Sequence, residues 1–92
     1  MPALTADSRP ALPRHAKLRF DTARDGWVLL GPERVLMLDE IAAAVLRRCD
    51  GQATLSAIAG ALAEEYRADP AEVTADVTAL LQDLADRGML LP

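Results

Sequence analysis

The sequence predicts an α+β domain of the winged helix-turn-helix type, with a three-stranded antiparallel meander followed by a three-helix bundle in the order βββααα. Three observations carry this. Residues 16–38 alternate and break at turn residues, as short strands do. Residues 39–88 hold three apolar stripes of helical period, each preceded by a capping side chain. The connections are short, which favours neighbours in sequence packing as neighbours in space. At 92 residues the chain makes one domain; its expected division is an N-terminal arm or linker over 1–14 and a single winged-helix unit over 15–92.

The arm holds three of the six prolines and no periodic apolar pattern, so it is expected to be disordered, or to be a fusion joint. In AKLRFD, Leu18 and Phe20 fall on one face and Lys17, Arg19 and Asp21 on the other, a half-buried strand. Asp25-Gly26 supplies a turn through glycine. WVLL (27–30) is a second strand, apolar on both faces. Gly31-Pro32 interrupts it, and VLML (35–38) resumes as a third. Asp39 caps the first helix, with Glu40 in its first turn, Arg47 and Arg48 in its last, and Gly51 as a left-handed exit. Its expected buried stripe is Ile41, Ala42, Val45, Leu46 and Cys49. Thr54 caps the second helix, with Leu55, Ile58, Ala59, Leu62 and Tyr66 on one face; Gly60 suggests the close approach of another backbone. In DPAE (69–72) Asp69 caps, Pro70 takes the first helical position and Glu72 completes a capping box. Val73, Val77, Leu80, Leu81 and Leu84 form the third stripe, Gly88 ends the helix, and Met89–Leu91 fold back as an apolar tail.

Nothing in the chain argues for catalysis. His15 is the single histidine and lacks sequence neighbours that would make it a base or ligand, so it is expected to be a solvated bystander. Cys49, beside Asp50, reads as a small core hydrophobe rather than a reactive thiol. No metal, catalytic residue or cofactor is expected. One cysteine allows no internal disulfide, and no signal-like or membrane-spanning stretch is present in the 92 residues. A cytoplasmic protein without membrane contact, monomeric or weakly dimeric, is the expectation.

Charge weighs against nucleic acid. Residues 1–36 carry +2 and residues 37–92 carry −6. The outer face of the third helix holds Glu72, Asp76, Asp83 and Asp86 against Arg87, which would repel phosphates. A winged-helix transcription regulator therefore survives only if the basic N-terminal half binds the DNA. A bare dimerisation module is the third reading. The third strand suggests something else. An unpaired strand edge is a row of free N–H and C=O groups, and VLML is an uncharged one. If the third helix packs beside it, the groove between them receives an extended peptide. The competing reading makes Val35–Leu38 plain core, shielded by the tail. Arg24, Glu33 and Arg34 are candidates for polar contacts at the meander's turns, with one another or with a partner.

The runs LRFD, WVLL.PERV, CDG and the Asp76-Val77 pair, spread over roughly residues 9–89, resemble the PqqD family of pyrroloquinoline quinone (PQQ) biosynthesis. Met89 stands where that family commonly has an aromatic residue. The resemblance implies a recognition element for ribosomally synthesized, post-translationally modified peptides (RiPPs). Such an element is a peptide chaperone that binds the PQQ precursor peptide and presents it to a radical S-adenosylmethionine crosslinking enzyme. It further implies that the leader adds antiparallel to the third strand, at Arg34, Val35, Leu36, Met37 and Leu38, and lies against Val73, Asp76, Val77 and Leu80.

Overall fold

The computed structural model describes residues 3–92 and has the expected order: β1 (Lys17–Asp21), β2 (Gly26–Gly31), β3 (Arg34–Leu38), α1 (Glu40–Arg47), α2 (Leu55–Glu65) and α3 (Pro70–Asp86). The strands form one antiparallel sheet with β2 in the centre, so β1 and β3 are both edges. Leu29 of β2 is wholly buried and pairs with Leu18 on one side and Leu36 on the other, which fixes the inner face of the sheet. Val28, Leu30, Val35 and Met37 belong to the outer face.

The turns differ from each other. Between β1 and β2 the Asp21 carboxylate accepts from the N–H groups of Ala23 and Arg24, and Asp25 rather than Gly26 takes the positive φ of 51°. Between β2 and β3 only Pro32 and Glu33 intervene. Proline cannot take the positive φ that primed turns demand at that position, and Glu33 has φ 60°, the signature of a type II turn.

All three capping carboxylates or hydroxyls act as expected. Asp39 accepts from Ala42 N–H at 2.7 Å, Thr54 from Ala57 N–H at 3.1 Å and Asp69 from Ala71 N–H at 3.0 Å. Asp69 bonds the second helical N–H rather than that of Glu72, and no bond returns from Glu72 to the Asp69 N–H among the described residues, so Asp69 caps α3 without the expected capping box. α3 ends in a Schellman arrangement: Gly88, at φ 75°, donates to Ala85 O and Met89 to Leu84 O. α2 ends the same way on Arg67, a non-glycine at φ 52°. Gly51 also has positive φ, but it lies in the loop beyond Arg48, which closes α1 in the right-handed region.

α1 is the central element. Ala42 to Leu46 are buried without interruption, between the sheet and the α2–α3 pair. Four expectations are corrected here. Ile41 is 47% exposed and Tyr66 is also exposed, so neither belongs to the core. A Cβ on Gly60 would meet nothing within 4 Å, so no backbone approaches it. His15 Nε2–H donates to the Gly88 carbonyl oxygen at 3.0 Å and thus ties the sheet's entry to the end of α3.

The fourth correction is the N-terminal segment. Met1 and Pro2 lie outside the described residues, but from Leu4 onward the chain is a packed strap rather than a free arm. Leu4, Pro10 and Pro13 are buried. The carbonyls of Ser8 and Ala6 accept from Leu55 and Ser56, the first N–H groups of α2, and Pro10 O accepts from Gly51. Ala11 bridges Asp50 and exchanges two hydrogen bonds with Leu91. The strap thereby satisfies orphan donors that a helix start otherwise leaves to water.

Candidate functional site

The backbone of β3 has a definite polarity. In a two-residue hairpin the turn's closing residues exchange hydrogen bonds, here Gly31 and Arg34. Alternation then turns the N–H and C=O groups of Arg34, Leu36 and Leu38 toward β2, and those of Val35 and Met37 toward solvent. The same two residues are 51% and 59% exposed, on the outer face of the sheet. Their free backbone groups and apolar side chains therefore lie together along an edge with no charge between Arg34 and Asp39.

Past the end of β3 the structure opens a pocket of about 230 Å³ between α1, the end of α2 and α3, lined by Ile41, Val45, Leu62, Tyr66, Ala68, Val73, Asp76, Val77 and Leu80. No β3 residue lines it, and Ile41, three residues after Leu38, is its link to the strand. It forms because α3 packs chiefly against α2, while β3 packs against β2 and α1. α1 supplies Ile41 and Val45 to the pocket wall. All four helix-side candidates, Val73, Asp76, Val77 and Leu80, line it together. Val77 is only 3% exposed and is as much core as wall, whereas Val73 and Leu80 are half-buried and Asp76 is exposed. Leu36 and Leu38 pack their side chains against the same core. Sequence reasoning missed Ile41 and Tyr66, both in the lining. Their helical phase marks them as apolar-face residues, but phase does not say which part of that face stays uncovered.

The turn candidates separate. Arg24 lies 3.7 Å from the Asp21 carboxylate, and its Nη1 sits 3.6 Å from the Met37 sulfur, at the end of the sheet where β3 finishes. Glu33 and Arg34 belong to the opposite end. Of the two alternatives, contact with one another or with a partner, the first is therefore not open to Arg24 with either of them. Trp27 is half-buried, edge-on to Phe20 with centroids 5.5 Å apart, and Arg47 stacks 5.1 Å above its ring. Its position is structural, opposite Leu38.

Among the described residues no group of three or more His, Cys, Asp or Glu side chains is placed to hold a metal. Burial, reinforced by the Asp50 charge, pushes the Cys49 thiol up to about 12, the reverse of nucleophilic activation. No helix of the described residues is long and apolar enough to cross a membrane. α3 presents Glu72, Asp76, Asp83 and Asp86 to solvent, and its Arg87 is paired with Asp83 at 3.3 Å.

A free apolar edge beside an apolar groove, with no activated side chain in it, is the geometry of a peptide-binding module built on a winged-helix frame. The chain belongs to the PqqD family: the family model "Coenzyme PQQ synthesis protein D (PqqD)" matches residues 26–90. A PqqA binding protein of Rhodopseudomonas palustris (strain BisB5) is 61% identical over 90% of this chain and 81% of its own length. One from Xanthomonas oryzae pv. oryzae (strain PXO99A) is 48% identical over 98% of both. The solution structure of the PqqD truncation of Methylobacterium extorquens PqqCD, described as a functional, stand-alone RiPP recognition element, is 44% identical. It superposes with a TM-score of 0.85, covering 98% of this chain and 96% of that one. A lasso peptide synthetase B1 complexed with its leader peptide, at 24% identity and a TM-score of 0.78, covers 92% of this chain and 100% of that one, and shares the fold.

Proposed function

We propose that this protein is the peptide chaperone of PQQ biosynthesis: it binds the ribosomal precursor peptide PqqA by strand addition and presents it to the pathway's radical S-adenosylmethionine enzyme. The single observation that carries the binding mode is the free outer row of β3. Val35 and Met37 offer unpaired N–H and C=O groups, and an extended chain aligned there gains main-chain hydrogen bonds. Its alternate side chains would then enter the Ile41–Val73–Leu80 pocket or lie beside Val35 and Met37 on the outer face. The peptide runs antiparallel to β3. The protein itself performs no chemistry in this reading, needs no cofactor and acts in the cytoplasm.

Family membership supports the partner, and charge opposes the runner-up. A winged helix that read DNA would have to set its acidic α3 against phosphates. The test is a titration of the isotopically labelled protein with PqqA. Amide shifts are expected on Arg34–Leu38 and over residues 73–81. Shifts centred on α2 or on β1 would exclude the groove.

A further inference from the structure

A peptide laid along β3 and on into the pocket would meet a charge at each extremity, Arg34 at the start of the strand and Asp76 in the pocket lining. Arg34 opens β3 opposite Gly31, and a Cβ on Gly31 would lie 2.6 Å from Met89 Cε, in the tail that follows α3. Arg34 therefore marks the end of the groove near the C-terminus of α3. At the other end Leu38 leads through Asp39 and Glu40 to Ile41, which shares the pocket with Asp76. Asp76 is the one charged side chain of that lining. Both groups are exposed, and neither takes part in an ion pair among the described residues. The four steps of β3 alone separate the two ends by roughly 13 Å, at about 3.3 Å per strand residue. That exceeds the Debye length of about 8 Å at physiological ionic strength, so each charge acts on its own end of a bound chain.

Resting on the strand-addition reading above, we infer that the groove selects the charge order of its peptide, and thereby its direction. Asp76 takes a cationic side chain near the peptide's N-terminal side, and Arg34 takes a carboxylate about four to six residues further along. In an antiparallel strand the N-terminal side falls at Leu38 and Ile41, beside Asp76; in a parallel strand the order reverses. A peptide with its charges exchanged places like beside like at both ends, which costs affinity without disturbing the apolar contacts.

The experiment uses two synthetic dodecapeptides that share an alternating apolar segment and differ only in exchanging one Lys and one Glu about five positions apart. Each is titrated into the whole protein and into the R34E/D76K double variant, with full-length PqqA as reference and amide shifts as readout. The Lys-first isomer is expected to bind the native protein roughly three- to tenfold more tightly, as two exposed ion pairs allow. The preference should invert in the double variant and shrink in high salt. Equal binding of both isomers, with shifts on Val35 and Met37, would overturn the charge selection and leave strand addition standing. Preference of the native protein for the Glu-first isomer would overturn the antiparallel direction. Absence of β3 shifts with PqqA itself would overturn the functional reading beneath both.

Discussion

The sheet has two edges, and they are built differently. β1 carries Lys17, Arg19 and Asp21, charges of the kind that discourage another strand from pairing. β3 carries Val35 and Met37, exposed and apolar, and leads toward a hydrophobic pocket that begins at Ile41. A protein that merely needed to avoid aggregation would have protected both. One guarded edge and one open edge, in the same small sheet, support the proposal that a peptide pairs with the open one. The strap offers a second contrast with the open edge: the first two N–H groups of α2 are not left free but are satisfied by the Ser8 and Ala6 carbonyls of the chain itself.

The largest way to break this contrast is to remove the wall that only β3 possesses. Val77→Asp places an unpaired charge at a position 3% exposed. It is expected to cost about 4 kcal/mol or more, a large share of the stability of a domain this size, and chemical denaturation will read it. Proline substitution then separates the two halves of β3. Leu36→Pro removes a donor from the β2 ladder and should cost about 3 kcal/mol. Met37→Pro removes only an outward donor; it should cost about 1 kcal/mol yet weaken PqqA binding at least tenfold, measured by calorimetry. Equal stability losses for the two would show that the strand's polarity is reversed.

Alkaline pH acts on the stability of the whole fold rather than on either edge. The Cys49 thiol is raised in the folded protein from an ordinary 9.0 to about 12, so below pH 9 it is neutral in both states and costs nothing. Above pH 9 the unfolded chain ionises first, and stability is lost as pH climbs toward 12, at up to about 1.4 kcal/mol per pH unit. At pH 10.5 that is about 2 kcal/mol, and Cys49→Ala should remove this component of the slope. The smallest effect on stability should come from uncharging the guarded edge. The double variant Lys17→Val and Arg19→Val should change stability by no more than about 0.5 kcal/mol. Sedimentation at high concentration should show it self-associating, while PqqA affinity stays as it was.

Much of this was legible in the sequence for local reasons. Asp39, Thr54 and Asp69 announce the helix starts because a cap needs only a side chain and the next turn. The three strands announce themselves by alternation. The same local logic placed Val73, Asp76, Val77 and Leu80 on one helix, and likeness to a family pointed that helix at β3. What stayed hidden depends on distance. The strap is held by one hydrogen bond each to Leu55 and Ser56 and a pair to Leu91, which leave no period behind. Its prolines look like disorder because nothing nearby in sequence buries them. The exposure of Ile41 and Tyr66 reflects a gap between elements, and an amphipathic stripe specifies a face without specifying what fails to cover it.

The half-buried indole of Trp27 has an optical consequence. It is the chain's one tryptophan, it stacks under the Arg47 guanidinium, and it sits across from Leu38, the last residue of the open strand. The protein's intrinsic emission therefore originates one strand away from the proposed docking edge, between the Arg47 guanidinium and the Phe20 ring. A chain laid along β3 that shifts Leu38 or the first turn of α1 alters that setting, so an unlabelled sample in a fluorimeter should register occupancy as a change in intensity or wavelength.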